Sequence, residues 1–159
     1  MTALFEPLCA EYHIFWKILN TIDFGVPHHR ERWYCVLIHK SGVHATSCAF
    51  TWPTPVRPLP KLSKFITPAA SAEFQGGPDA SRKQEARNVQ AHIEKHLKNG
   101  VANPFSTCIC IDMCSSDEFA HSRVEASPTL TKTRCEQLGY WVTSKGARMS
   151  VGEITSLQG

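Results

Sequence analysis

Five consecutive residues, His28, His29, Arg30, Glu31 and Arg32, follow the turn Gly25-Val26-Pro27 and precede an apolar run. Their types suit three tasks: moving a proton, holding an anion, or gripping the edge of a polar base. Imidazole changes charge near neutral pH, whereas guanidinium keeps its charge and offers a planar fork of donors. Charged groups are rarely buried without a partner. Arg30-Glu31-Arg32 therefore reads either as a surface ion-pair triplet, weak in each pair, or as a cluster that faces a polar ligand.

The flanking segments decide where such a cluster stands. Residues 12 to 19 (YHIFWKIL) and 32 to 39 (RWYCVLIH) are aromatic and apolar enough for two buried strands, joined by a loop over 20 to 30. Thr2 to Glu11 predicts a short helix ahead of them. The cluster then lies where the second strand begins, and polar groups at a strand end are well placed to form a site.

Between Ser41 and Gly77, Pro53, Pro55, Pro58, Pro60 and Pro68 remove backbone donors, with Arg57, Lys61 and Lys64 among them, which predicts a loop or domain boundary. Asp79 or Ser81 can cap a helix that runs to Asn99 and stops at Gly100, with Val89, Ile93 and Leu97 on its apolar face. Its other face carries Arg82, Lys83, Arg87, Lys95 and Lys98, either as a solvated surface or as one that meets phosphates. His92 and His96 lie one turn apart, but Ile93 stands where a His-Glu-x-x-His zinc motif needs its base, so both read as helix-surface residues. Thr107 to Met113 alternates as a strand would. Tyr140 to Thr143, the turn Ser144-Lys145-Gly146 and Arg148 predict a hairpin. Ser150 and Glu153 form a capping box, with Met149 and Ile154 as its hydrophobic staple, so a helix starts at Val151.

The chain of 159 residues is 42% hydrophobic and 19% charged, a globular balance and long enough for one core. A net charge of +3 does not by itself select a nucleic-acid partner. No run approaches the roughly 18 apolar residues of a membrane span. The Cys count is odd, and Glu6 and Glu11 interrupt any secretory leader, so the thiols read as reduced and the protein as intracellular. Cys108, Cys110 and Cys114, followed by His121, depart from the paired spacing of zinc sites, and no metal is expected.

The stretch NTIDFGVPHHRERWYCVLI resembles the eighth conserved motif of the DNA cytosine-5 methyltransferases, in which Asn and then Gly-Val-Pro-Gln lead to Arg-Glu-Arg and a hydrophobic strand. Downstream, SPTLTKTRCEQLGYW followed by ARMSVGEITSLQG is similar to that family's ninth motif, where Pro-Thr-Leu-Thr leads to Arg, Ser or Thr, Glu and then Leu-Gln-Gly. His28 stands where the family has Gln, while Gly152 and Ser156 stand where it has Arg. Between the two motifs the family carries its variable target-recognition region.

That resemblance implies an α/β fold, the C-terminal fragment of an S-adenosylmethionine-dependent, Rossmann-like methyltransferase domain. Residues 1–40 would hold its last antiparallel strand pair, 41–126 a mixed target-recognition region, and 127–159 a returning segment with the start of a truncated helix. The implied activity is methyl transfer from S-adenosyl-L-methionine to C5 of a flipped-out cytosine in duplex DNA, in a restriction-modification or an epigenetic role. Arg32 would hold the base at its C2 carbonyl, and Arg30 would orient neighbouring acidic or phosphate groups. Lys132, Thr133, Arg134 and Arg148 would contact DNA, while Asn20, Gly25, Pro27, Ser150 and Glu153 would shape the site. No Cys follows a Pro and no Gly-rich cofactor loop is present, so the isolated chain is expected to be inactive, the cofactor being bound mainly by a complementing methyltransferase half. The compartment would be the nucleus in a eukaryote and the cytoplasm otherwise. Two further readings stay open: a non-catalytic DNA-binding module, and a truncated product with no independent role.

Overall fold

Two separate antiparallel sheets organise the described residues. The computed structural model describes residues 5–42, 50–68, 78, 81–116 and 118–158. The first sheet is a hairpin of β1 (Tyr12–Asn20) and β2 (Glu31–His39), in register from Tyr12 opposite His39 to Asn20 opposite Glu31. The second is built from β3 (Ile109–Asp112), β4 (Ser122–Val124), β5 (Tyr140–Val142) and β6 (Ala147–Arg148), in the spatial order β4-β3-β5-β6. Three α-helices complete the described residues: α1 (Lys83–Lys98), α2 (Lys132–Glu136) and α3 (Val151–Ser156). The architecture is mixed α/β, with every strand ladder antiparallel.

Alternation along β3 explains the core. Successive strand residues point to opposite faces, so Ile109 and Ile111 go one way, to Val89 and Ile93 of α1, Met113 and Trp141. Cys110 goes the other way and, with Cys108, joins Leu62, Leu130, Tyr140, Val142, Met149, Ile154 and Leu157. The amide of Asn88 fixes α1 across the sheet by donating to the carbonyls of Met113 and Ser115, both at 2.7 Å. On the second face, the Pro-rich segment is a strap: Leu62 is fully buried, its N–H donates to the Glu125 carbonyl at 2.9 Å, and the Thr67 N–H reaches Glu153 at 2.8 Å.

Several sequence expectations need correction. The strands at 12–19 and 32–39 form, but none of their residues is buried; Trp16 is 54% and Ile18 60% exposed. The helix expected from Thr2 to Glu11 is a single 3-10 turn over Glu6–Leu8 with Pro7 inside it, and residues 1–4 lie outside the described residues. Helix α1 is capped by Arg82 without any side-chain bond, not by Ser81, and Asp79 lies outside the described residues. Leu97, in the last turn of α1, is 48% exposed. Of the two histidines read as helix-surface residues, His92 is buried and His96 half-buried. Both rings meet the Ser122 hydroxyl of β4, at 2.8 and 2.9 Å, because α1 lies directly over that strand. Among the described residues no helix is long and apolar enough to cross a membrane.

Candidate functional site

Local backbone chemistry shapes the connection that carries the charged cluster. Asn20 Oδ1 accepts from the N–H groups of Ile22 (3.4 Å) and Arg30 (3.1 Å), so one side chain fastens both ends of the connection. The Thr21 N–H and hydroxyl both donate to the Arg30 carbonyl. Gly25 adopts φ +96°, a left-handed conformation that side chains disfavour. Pro27, which follows, is fully buried.

Residues 27–30 are then zipped to 127–130. The Ser127 N–H donates to the Pro27 carbonyl at 2.7 Å, and the His29 N–H donates to the Ser127 carbonyl at 2.9 Å. The Thr129 hydroxyl donates to the His29 carbonyl at 2.8 Å, and the Leu130 N–H to His28 Nε2 at 2.8 Å. The two stretches that carry the family resemblance are thus in direct contact through a parallel bridge between His28 and Ser127. Burial, reinforced by the charges of Arg30, Arg32 and His29, lowers the His28 pKa to about 4. The imidazole is therefore neutral at neutral pH, which it must be to accept a hydrogen bond.

Three clefts open around the start of β2. One, of about 370 Å³, is bordered by Thr21, His28, Arg30, Arg32 and Gln158. A second, of about 270 Å³, lies between His29, Glu31, Arg32, His121, Arg123 and Thr129. A third, of about 580 Å³, extends from Arg30 and Arg32 to Lys132, Glu136 and Gln158. Arg32 borders all three and Arg30 two of them. Arg32 donates to the Glu31 carbonyl at 2.7 Å. Among the described residues neither Arg30, Arg32 nor Arg123 forms an ion pair.

The other cations expected to serve DNA are placed differently. Arg134 Nε meets Asp112 Oδ2 at 2.9 Å, and its Nη2 meets the Ser115 hydroxyl. Arg148 is paired with Glu85 and donates to the Leu138 carbonyl at 3.1 Å. Both guanidiniums therefore hold parts of the fold together. Lys132 and Thr133 are exposed, Lys132 lying 3.9 Å from Glu136 across one helical turn. Ser150 and Glu153 form the expected capping box. Burial alone would raise the Glu153 carboxyl, but the Lys145 ammonium and the N–H groups of Ser150 and Thr67 outweigh it and hold the pKa below its usual value.

S-adenosylmethionine carries a sulfonium cation. Arg32 borders every cleft described and the first cleft has no carboxylate, so these residues do not fit that group, and no step through it is assigned to them. Sequence reasoning did not place His29, His121 and Arg123 around one cleft. No local pattern signals that, since they come from β2's approach and from β4, about ninety positions apart in the chain.

The family model of the C-5 cytosine-specific DNA methylases matches residues 5–159. No curated protein and no solved structure matches the chain. The family match spans the cleft, the hairpin that opens it and the segment zipped beneath it, and the chain belongs to the C-5 cytosine-specific DNA methylase family.

Proposed function

We propose that the chain is the base-holding and DNA-recognition part of a cytosine-5 DNA methyltransferase, with Arg32 at the C2 carbonyl of a flipped-out cytosine and Arg30 beside it. The observation that carries this reading is the zipped junction of 27–30 and 127–130, which sets two guanidiniums without carboxylate partners at the mouth of a cleft. A guanidinium fixed beside an oxygen that gains charge stabilises it without reorganisation. Lys132 and Thr133 supply exposed phosphate contacts on this reading, while Arg134 and Arg148 contribute by holding the surface that presents them. Residues 1–40, 41–126 and 127–159 then correspond to the last strands of a Rossmann-like domain, the target-recognition region and the returning segment.

A complementing half brings the thiolate nucleophile and the site for S-adenosyl-L-methionine, the methyl donor of the family. The exposed face of the hairpin supports such a partner. Ile14, Trp16 and Ile18 stand opposite Leu37, Cys35 and Trp33, forming one apolar surface across both strands.

The test is turnover in an enzyme reconstituted from this chain and such a half. Arg32→Ala is expected to lower methyl transfer on the order of a hundredfold or more, with little change in duplex affinity. Arg32→Lys is also impaired, because an ammonium cannot reproduce the planar fork. Unchanged turnover in the Arg32→Ala enzyme would return Arg30, Glu31 and Arg32 to a surface ion-pair triplet.

A further inference from the structure

His28 is only 2% exposed, yet it borders the same cleft as Arg30 and Arg32. Its Nε2 accepts from the Leu130 N–H at 2.8 Å, which leaves the ring proton on Nδ1. Among the described residues no hydrogen bond to that nitrogen is seen, and no fully buried side-chain nitrogen or oxygen lacks a partner. The Nδ1–H is therefore not fully enclosed, and the cleft that His28 borders is where an acceptor can meet it. A donor at the edge of a cleft is met by water until a ligand's acceptor takes the water's place.

We propose that His28 is a third donor of this site, a neutral N–H that acts with the guanidiniums of Arg30 and Arg32 on a negatively polarised oxygen of a nucleotide. The inference rests on the nucleotide-binding reading of the cleft and adds a ligand-contacting residue to it. The ring has two jobs that require one tautomer: Nε2 accepts from Leu130 and so holds 27–30 against 127–130, while Nδ1–H faces the ligand. Protonation would abolish the first job and place a third cation beside two others. The charged and titratable groups facing the ring are Arg30, Arg32 and His29 from its own segment; residues 127–130, on the other side, carry none. Glutamine could perform both jobs, its amide oxygen accepting and its amide nitrogen donating.

Two sources offer such an oxygen, a phosphate and a base carbonyl, and nitrogen-15 NMR of the full chain separates them. The His28 ring is expected to show the Nδ1–H tautomer. Its Nδ1 resonance is followed on adding inorganic phosphate, a short cytosine-containing single strand, or the same strand with an abasic residue in place of the cytosine. A shift with the cytosine strand alone identifies the base carbonyl, and a shift that phosphate and the abasic strand also produce identifies phosphate; both support the proposal. Affinity for the strand should fall about tenfold in His28→Ala, the size of one hydrogen bond to a charged oxygen, and stay within about threefold in His28→Gln. An Nε2–H tautomer, or an Nδ1 resonance unmoved by all three ligands, overturns it. If the cytosine strand binds, by fluorescence anisotropy, while the resonance stays still, the nucleotide reading survives and the role of His28 does not; absence of any binding overturns both.

Discussion

The hairpin and the four-stranded sheet are built from comparably apolar sequence, yet no residue of β1 or β2 is buried, whereas every residue of β3 and β5 is. The difference lies in what covers each sheet. β3 has α1 on one face and the Pro-rich strap with α3 on the other. The hairpin has isolated aromatic contacts, Phe5 on Trp33 at 5.8 Å and Phe50 on Phe15 at 5.2 Å. An apolar strand therefore records the surface it is shaped to meet, and in the hairpin that surface is not among the described residues.

The comparison can be broken most directly in the core. Ile111→Ala removes a fully buried side chain between β3 and α1 and should cost about 2–5 kcal/mol in urea unfolding followed by circular dichroism. A second test titrates the junction between the sheets. The folded pKa of His28, about 4, lies below its unfolded value, so the folded state binds the proton less readily than the unfolded one. Stability is full above about pH 6.5 and is lost as the pH falls toward 4, by about 3 kcal/mol from this group. Subtracting a His28→Gln profile isolates the contribution; parallel profiles between pH 7 and 4 would remove it. Glu153→Gln, which weakens the bonds to Lys145, Ser150 and Thr67, should cost about 2 kcal/mol and loosen the strap, read as faster amide exchange at Thr67. The smallest effect belongs to the hairpin face: Trp16→Ala should stay within about 0.5 kcal/mol in the isolated chain. A loss comparable to that of Ile111→Ala would mean that this face is covered after all.

What could be read from sequence was local. The strands beside the charged cluster, the body of α1, the hairpin of β5 and β6 and the Ser150–Glu153 box each declare themselves within a few residues. The engagement of Arg148 with Glu85 spans 63 positions and that of Arg134 with Asp112 spans 22, and no spacing rule exposes such pairs. Two guanidiniums that look free for phosphate in the sequence are therefore held by carboxylates in the fold. His92 and His96 illustrate the same limit. Their one-turn spacing shows that they share a helix face, but only the position of β4 makes that face an interior one.

The parallel bridge between His28 and Ser127 has an evolutionary corollary. By clasping two distant points, it closes the chain between them, β2, α1, β3 and β4 included, into a loop with coincident ends. Closure entropy grows only logarithmically, so doubling such a span costs about 0.6 kcal/mol. Length added to that loop beyond β2 therefore costs the clasp little, and Arg30 and Arg32, within four residues of His28, keep their places beside it, which makes the clasp a fixed point around which this part of the protein can vary.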